Sequence, residues 1–223
     1  MLSLLNILKG LSLLIFLGSC SSQSGDPVLT ASMGAGAKTG LAEKVLTVDL
    51  QPFGDFDTAQ VSFAAREIEG FYQMKTRILP AIELPSSAWY ASRNRYRADS
   101  LLIWLKANKA PATAHILGLT NRDISCTKDP YPDWGIFGFG YMPGKACVVS
   151  TFRLMRNNAS ETLLRERFAK VLLHEIGHNL GLDHCPAPLC MMGDAKGTLE
   201  TVDQETKQLC QACKNKLGIT SNP

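Results

Sequence analysis

The sequence predicts a mixed α/β protein: a mixed sheet with helices packed on it, a cleft, and a small cysteine-rich part at the C-terminal end. Three observations predict it. Strand-like and helix-like stretches alternate from Val45 to Thr151, a helical pattern then carries two histidines one turn apart, and four of the seven cysteines follow His184. A chain of 223 residues with 45% hydrophobic and 19% charged residues is long enough for one domain with a core and is not a disordered polymer. The net charge of +3 falls by one if Lys9 is removed with a leader, and no long basic run appears. Nucleic acid is therefore not an expected partner.

Residues 1–19 have the layout of an export signal, with Lys9, an apolar run from Leu11 to Leu17 and small residues before Cys20. The run is too short to span a bilayer. The ending Leu17-Gly18-Ser19-Cys20 resembles a bacterial lipobox, which implies a lipid anchor on Cys20. The protein would then be held at the membrane in the cell envelope, on the periplasmic side or the outer membrane. An ordinary export signal, giving a secreted protein, is the alternative. Residues 20–40 are small, polar and glycine-rich and read as a flexible tether. The folded domain is expected over 41–223, with an N-terminal subdomain at 41–181 and a cysteine-rich one at 182–223.

Val45 to Leu50 alternates apolar and β-favouring residues, as a strand does, and Asp57 to Met74 follows helical spacing through Val61, Ala64, Ile68 and Tyr72. Arg77 to Leu84 reads as a second strand interrupted by Pro80. Arg93 to Lys109 is helical again, with Trp104 a core or groove-wall residue. Thr113 to Thr120 is a strand, and His115 within it, the one histidine outside the motif below, reads as a core histidine. Ile136 to Gly140 and Ala146 to Thr151 read as a hairpin around Pro143 and Gly144. Asn158 and Glu161 have capping-box spacing ahead of the histidine helix, and a last helix is expected over Thr201 to Leu217.

The stretch Lys170 to Met192, KVLLHEIGHNLGLDHCPAPLCMM, holds three of the four histidines. On a helix, His174 and His178 project from one face and can share a Zn²⁺ at about 2.0 to 2.1 Å. His184 could not reach the same ion if the helix ran on, because ten residues rise about 15 Å. Gly181 is the place to stop, since glycine takes the left-handed conformation that ends helices. Three imidazoles leave a tetrahedral zinc with one open position, the arrangement of catalytic sites. Glu175, beside that position, can act as general base toward a water there. A helix spelling HExxH by chance is the bland alternative, and the added Gly181 and His184 argue against it.

Written out, the pattern is HExxHxxGxxHC, four residues, Cys190, one residue, Met192, seventeen residues, then CxxC at Cys210 and Cys213. It resembles the archaemetzincin family of zinc metallopeptidases, whose extended motif is filled at every position. The resemblance implies a metzincin-like fold with an active-site helix and a small zinc-stabilised C-terminal subdomain. It also implies a Met-turn methionine at Met192 and an edge strand at IFGFG, with Gly138 and Phe139 binding an extended peptide. An interior glycine-rich strand is the other reading of that segment. Some metzincins place a tyrosine after the Met-turn, whereas Gly193-Asp194-Ala195 follows here.

Cys185, Cys190, Cys210 and Cys213 suit a closed Cys₄ structural zinc, giving two Zn²⁺ per chain, one catalytic and one structural. In an exported chain the same four could instead form two disulfides. Cys126 and Cys147 are either a further disulfide or two core thiols. Because Cys185 directly follows His184, filling the cysteine site would fix the loop that aims the third histidine. The expectation is an exported, monomeric zinc metallopeptidase acting on peptides or proteins, aminopeptidase-like or directed at small peptides. A catalytically idle peptide-binding module and a structural envelope protein are the alternatives.

Overall fold

The computed structural model describes residues 46–219. The export signal, Cys20, the tether and the domain start near residue 41 lie outside the described residues. The elements in chain order begin with β1 (Thr47–Pro52), α1 (Thr58–Tyr72), β2 (Lys75–Ile78), β3 (Trp89–Tyr90), β4 (Arg95–Arg97), α2 (Ala98–Asn108) and β5 (His115–Thr120). Then follow β6 (Ile124–Lys128), β7 (Tyr131–Ile136), β8 (Gly138–Gly140), β9 (Ala146–Ser150), α3 (Glu161–Asn179), α4 (Leu199–Gln204) and α5 (Gln211–Leu217).

Two sheets result. In the larger, the order is β2-β1-β5-β9-β8, parallel except for β8, which runs antiparallel to β9 at one edge. The smaller has the order β3-β4-β6-β7. The period-2 alternation of a strand divides the core: Cys147 and Val149 of β9 face the larger cluster, while Ala146 and Val148 face the smaller. Val61, Ala64 and Ile68 of α1 and Leu164, Phe168 and Leu172 of α3 fill the first, and Leu101, Leu102 and Leu105 of α2 fill the second. The segment after Gly181 adds Met191, Met192, Leu199, Val202 and Leu209 to the larger cluster.

Asp57 caps α1 by accepting from Ala59 N at 2.9 Å, as its short carboxylate suits it to do. Several expected elements differ from those found. The second strand ends at Ile78, because Pro80 has no N–H for the ladder, and pairing resumes only at the single bridge Phe53–Ile82. The helix expected from Arg93 starts at Ala98, since Arg95–Arg97 is drawn into the smaller sheet beside β6, where Arg95 lies 3.3 Å from Asp123 and Arg97 3.5 Å from Asp133. IFGFG is not one strand: Ile136 ends β7 in the smaller sheet, Phe137 is buried at the crossing, and Gly138–Gly140 joins the larger. The cap of α3 is Ser160, whose Oγ accepts from Leu163 N at 3.2 Å, rather than Asn158, which has a positive φ of 52°. The last helix is broken between Gln204 and Gln211, which brings Cys210 to the N-cap of α5.

A three-histidine cluster at a cleft and a four-cysteine cluster

α3 buries Leu164, Phe168, Leu172 and Ile176, and is held at its start by Arg167. This side chain, 2% exposed, forms two hydrogen bonds of 2.7 Å to Asp203 and donates to the carbonyls of Leu154 and Arg156. The helix ends as the glycine predicts. Gly181, at φ 95°, donates to His178 O and Leu182 N donates to Gly177 O, the paired bonds of a Schellman turn. The chain reverses there and returns His184 to the face of the helix.

His174, His178 and His184 come together with a ligand nitrogen of each within 4.8 Å of the others, and ring centroids 4.6, 4.9 and 5.4 Å apart. His174 Nδ1 donates to Met191 O at 2.8 Å and His178 Nδ1 to Leu182 O at 2.7 Å. A carbonyl oxygen only accepts, so Nδ1 carries the hydrogen in both rings and each Nε2 lone pair is free for a metal. Burial, reinforced by His178, lowers His174 to about 4, and burial also lowers His178. Both are neutral near pH 7, the form a ligand needs. The donor set fits zinc.

Glu175 is 6% exposed and lies against β8. A Cβ on Gly138 would stand 2.6 Å from Glu175 Oε1, and one on Gly140 3.1 Å from Oε2, so the two glycines make the space for this carboxylate. Burial raises its pKa to about 8, and a cation held by the three histidines would act in the opposite sense. Met192 is fully buried, with its sulfur 2.6 Å from where a Gly177 Cβ would be. It lies beneath the helix turn between the two helical histidines. Tyr72, the polar tip of the α1 stripe, donates to Leu173 O at 2.8 Å in the same region.

The second cluster unites Cys185, Cys190, Cys210 and Cys213, with all sulfurs within 4.8 Å of one another. Cys185 and Cys210 lie 3.6 Å apart, and Cys190 and Cys213 3.9 Å. Thiolates about 2.3 Å from a tetrahedral zinc stand about 3.8 Å from one another, whereas a disulfide needs about 2.0 Å. The geometry fits the ion, and all four thiols are free. The amide of Cys213 draws the Cys210 thiol down to about 7, while burial pushes the Cys190 and Cys213 thiols up. Cys126 on β6 and Cys147 on β9 are likewise free and buried, so the disulfide reading of that pair does not hold in this structure.

A cleft of about 390 Å³ opens over the histidines. Glu175, Gly138, Phe139 and Gly140 line it, as do Asp194, Lys196, Val202 and Glu205 of the segment that follows Met192. β8, carrying Gly138 and Phe139, is an edge strand of the larger sheet. Asn179 ties the β8–β9 loop to α3, donating to the carbonyls of Tyr141 and Ala146. His115 is buried on β5, outside the triad. Another hollow, of about 430 Å³ between α1 and the C-terminal end, holds none of the clustered residues. Sequence reasoning missed Glu205, for which an isolated acidic residue gives no signal, and the Met191 carbonyl, which any residue would offer.

Residues 59–218 match the model of peptidase family M54. The chain is 32% identical to the archaemetzincin of Pyrococcus horikoshii over 167 residues, 70% of this chain and 86% of that one. The crystal structure of archaemetzincin from Archaeoglobus fulgidus, complexed with malonate, superposes with a TM-score of 0.66 at 29% identity, covering 77% of this chain and 99% of that one. That of archaemetzincin from Methanopyrus kandleri gives 0.68 at 26% identity, covering 79% and 96%.

Proposed function

Because this chain belongs to peptidase family M54, the archaemetzincins, we propose that it hydrolyses peptide bonds with zinc held by His174, His178 and His184 and with Glu175 as general base. The observation that carries the proposal is the convergence of three imidazoles beside one buried carboxylate at the floor of a cleft. Zinc bound there supplies a Lewis acid that polarises a carbonyl oxygen and brings the acidity of water toward pH 7.

The chain's own groups do the rest. The backbone of Gly138–Gly140, at the edge of its sheet, takes an extended peptide as an added strand and lays the scissile bond across the histidines. The Glu175 carboxylate takes a proton from the attacking water and returns it to the leaving amine; burial raises its pKa, and a cation at the histidines would offset that and keep it ionised to act as base. Met192 supports the helix from below and the Nδ1 bonds hold two of the rings in the required tautomer. The cysteine cluster holds a second, structural zinc. Small peptides or peptide ends are the proposed substrates.

The test is Glu175→Gln, which keeps shape and removes the base. Offered zinc during folding, the variant should bind as much metal as the wild type and lose at least about 100-fold in cleavage of a peptide library. Undiminished cleavage would overturn the assignment. Equal metal binding with no cleavage by either protein would favour a peptide-binding module over an enzyme.

A further inference from the structure

We propose that the four-cysteine cluster sets metal affinity at the three-histidine cluster, through the strap Cys190-Met191-Met192, so that the two sites load as a coupled pair. The inference rests on reading both clusters as metal sites. The strap touches both clusters. Cys190 gives its sulfur to the cysteine cluster. The next residue, Met191, offers the carbonyl that receives His174 Nδ1–H at 2.8 Å. Met192 accepts from the amide of Cys185 at 2.7 Å through its own carbonyl, and sets its side chain against Gly177 between the two helical histidines.

The strap is fixed from its far side as well. Met191 N donates to Gln208 O at 2.8 Å, and Cys210 N donates to Cys190 Sγ at 3.4 Å. The same two contacts bring the CxxC pair to the first two cysteines. His184 is bonded through the main chain to Cys185, and among the three histidines it is the exposed one. Two of the three metal-binding rings are thus placed by residues of the cysteine cluster or their immediate neighbours. Only His178 is oriented by its own helix end, through Leu182 O.

A metal at the cysteines orders Cys185, Cys190 and Cys210 together and so fixes both the Met191 carbonyl and the His184 main chain before the histidines are filled. Without it, this irregular stretch must be ordered by the histidine metal itself, whose affinity falls accordingly. By thermodynamic reciprocity, a metal at the histidines strengthens the cysteine site by the same factor.

The experiment is a cobalt(II) titration of the metal-free protein under anaerobic conditions. Thiolate coordination shows in near-ultraviolet charge-transfer bands and the histidine site in weaker visible bands, so each affinity is read without any activity measurement. In Cys210→Ala/Cys213→Ala, checked for folding by circular dichroism, the histidine site should bind cobalt at least roughly fivefold more weakly than in wild type, the lower end of ordinary coupling. In Cys185→Ala, which takes one thiol from the cysteine cluster and removes no histidine of the other, the visible bands should likewise shift to higher cobalt by at least that factor. If the double variant does not fold, Cys185→Ala decides alone. A smaller shift in the folded variants overturns the coupling and leaves the metallopeptidase reading standing. No cobalt bands of either kind in wild type overturn that reading and the coupling with it.

Discussion

At the scale of single residues, Gly138 has the most direct effect on chemistry. Its missing side chain is the space that Glu175 occupies, with both Oε1 and Cγ within 2.7 Å of where a Cβ would stand. Gly138→Ala should push the carboxylate aside by a substantial fraction of an ångström, and displacements of about 1 Å cost on the order of 100-fold in rate. We expect a loss of kcat of that order with zinc binding retained; an unchanged kcat would show that the carboxylate accommodates the methyl group. Glu205 gives a pH-dependent prediction. Burial, with Asp194 adding and Lys170 opposing, raises it from 4.5 to about 7. Its folded pKa therefore lies above the unfolded one, so its contribution to stability is complete below about pH 4.5 and is lost as pH rises through about 7. Glu205→Gln should melt increasingly above wild type across that interval and hold a constant margin beyond it, and parallel profiles would refute the assignment. The residues of the two clusters were legible in sequence because their spacing is local: a helical turn, a glycine stop and CxxC. Glu205 and the Met191 carbonyl were not, because nothing near them in the chain says what they will face.

At the scale of elements, α3 couples core to chemistry. Its buried stripe fixes its depth, and Arg167 fixes its register against α4 and the turn at 154–156. Arg167→Ala would remove hydrogen bonds to Asp203, Leu154 O and Arg156 O together and should cost about 3 kcal/mol of unfolding free energy. Chemical denaturation measures it, and a loss within about 0.5 kcal/mol, as at an ordinary surface site, would contradict this account. The helix itself and its glycine stop were readable from pattern. Its cap was not, since Asn158 and Ser160 are both good capping residues and the turn's left-handed backbone at Asn158 decides between them. IFGFG reads as one strand because each residue suits a strand; only the presence of two sheets divides it at Phe137. The final helix reads as continuous because its pattern does not reveal that Cys210 must reach the other cysteines.

At the scale of the molecule, the two halves differ in what orders them. Among the described residues the strands all lie before Thr151, and the chain after Gly181 has only two helices, of six and seven residues, too short to persist alone. That part depends on the shared core and on its cysteines. Chelation should therefore direct limited proteolysis first to sites between Leu182 and Ile219, with zinc restoring protection. First cuts in the sheet region instead would reject this division. The fold class was visible in the alternation of patterns, but the strand order was not, because which strands pair is a long-range matter of which faces are covered. The short β8 strand has a consequence for how such proteins can diversify. Three residues form at once the sheet edge open to a peptide and the wall of the chamber around Glu175, and at Gly138 a side chain would invade that chamber. Changes in which peptides are cut must then accumulate elsewhere in the lining, at Thr127, Lys128 and Trp134 or between Asp194 and Glu205. Relatives with different preferences should keep glycine at the position of Gly138 while those segments drift, so one part of the cleft is frozen by chemistry and the rest is left free for adaptation.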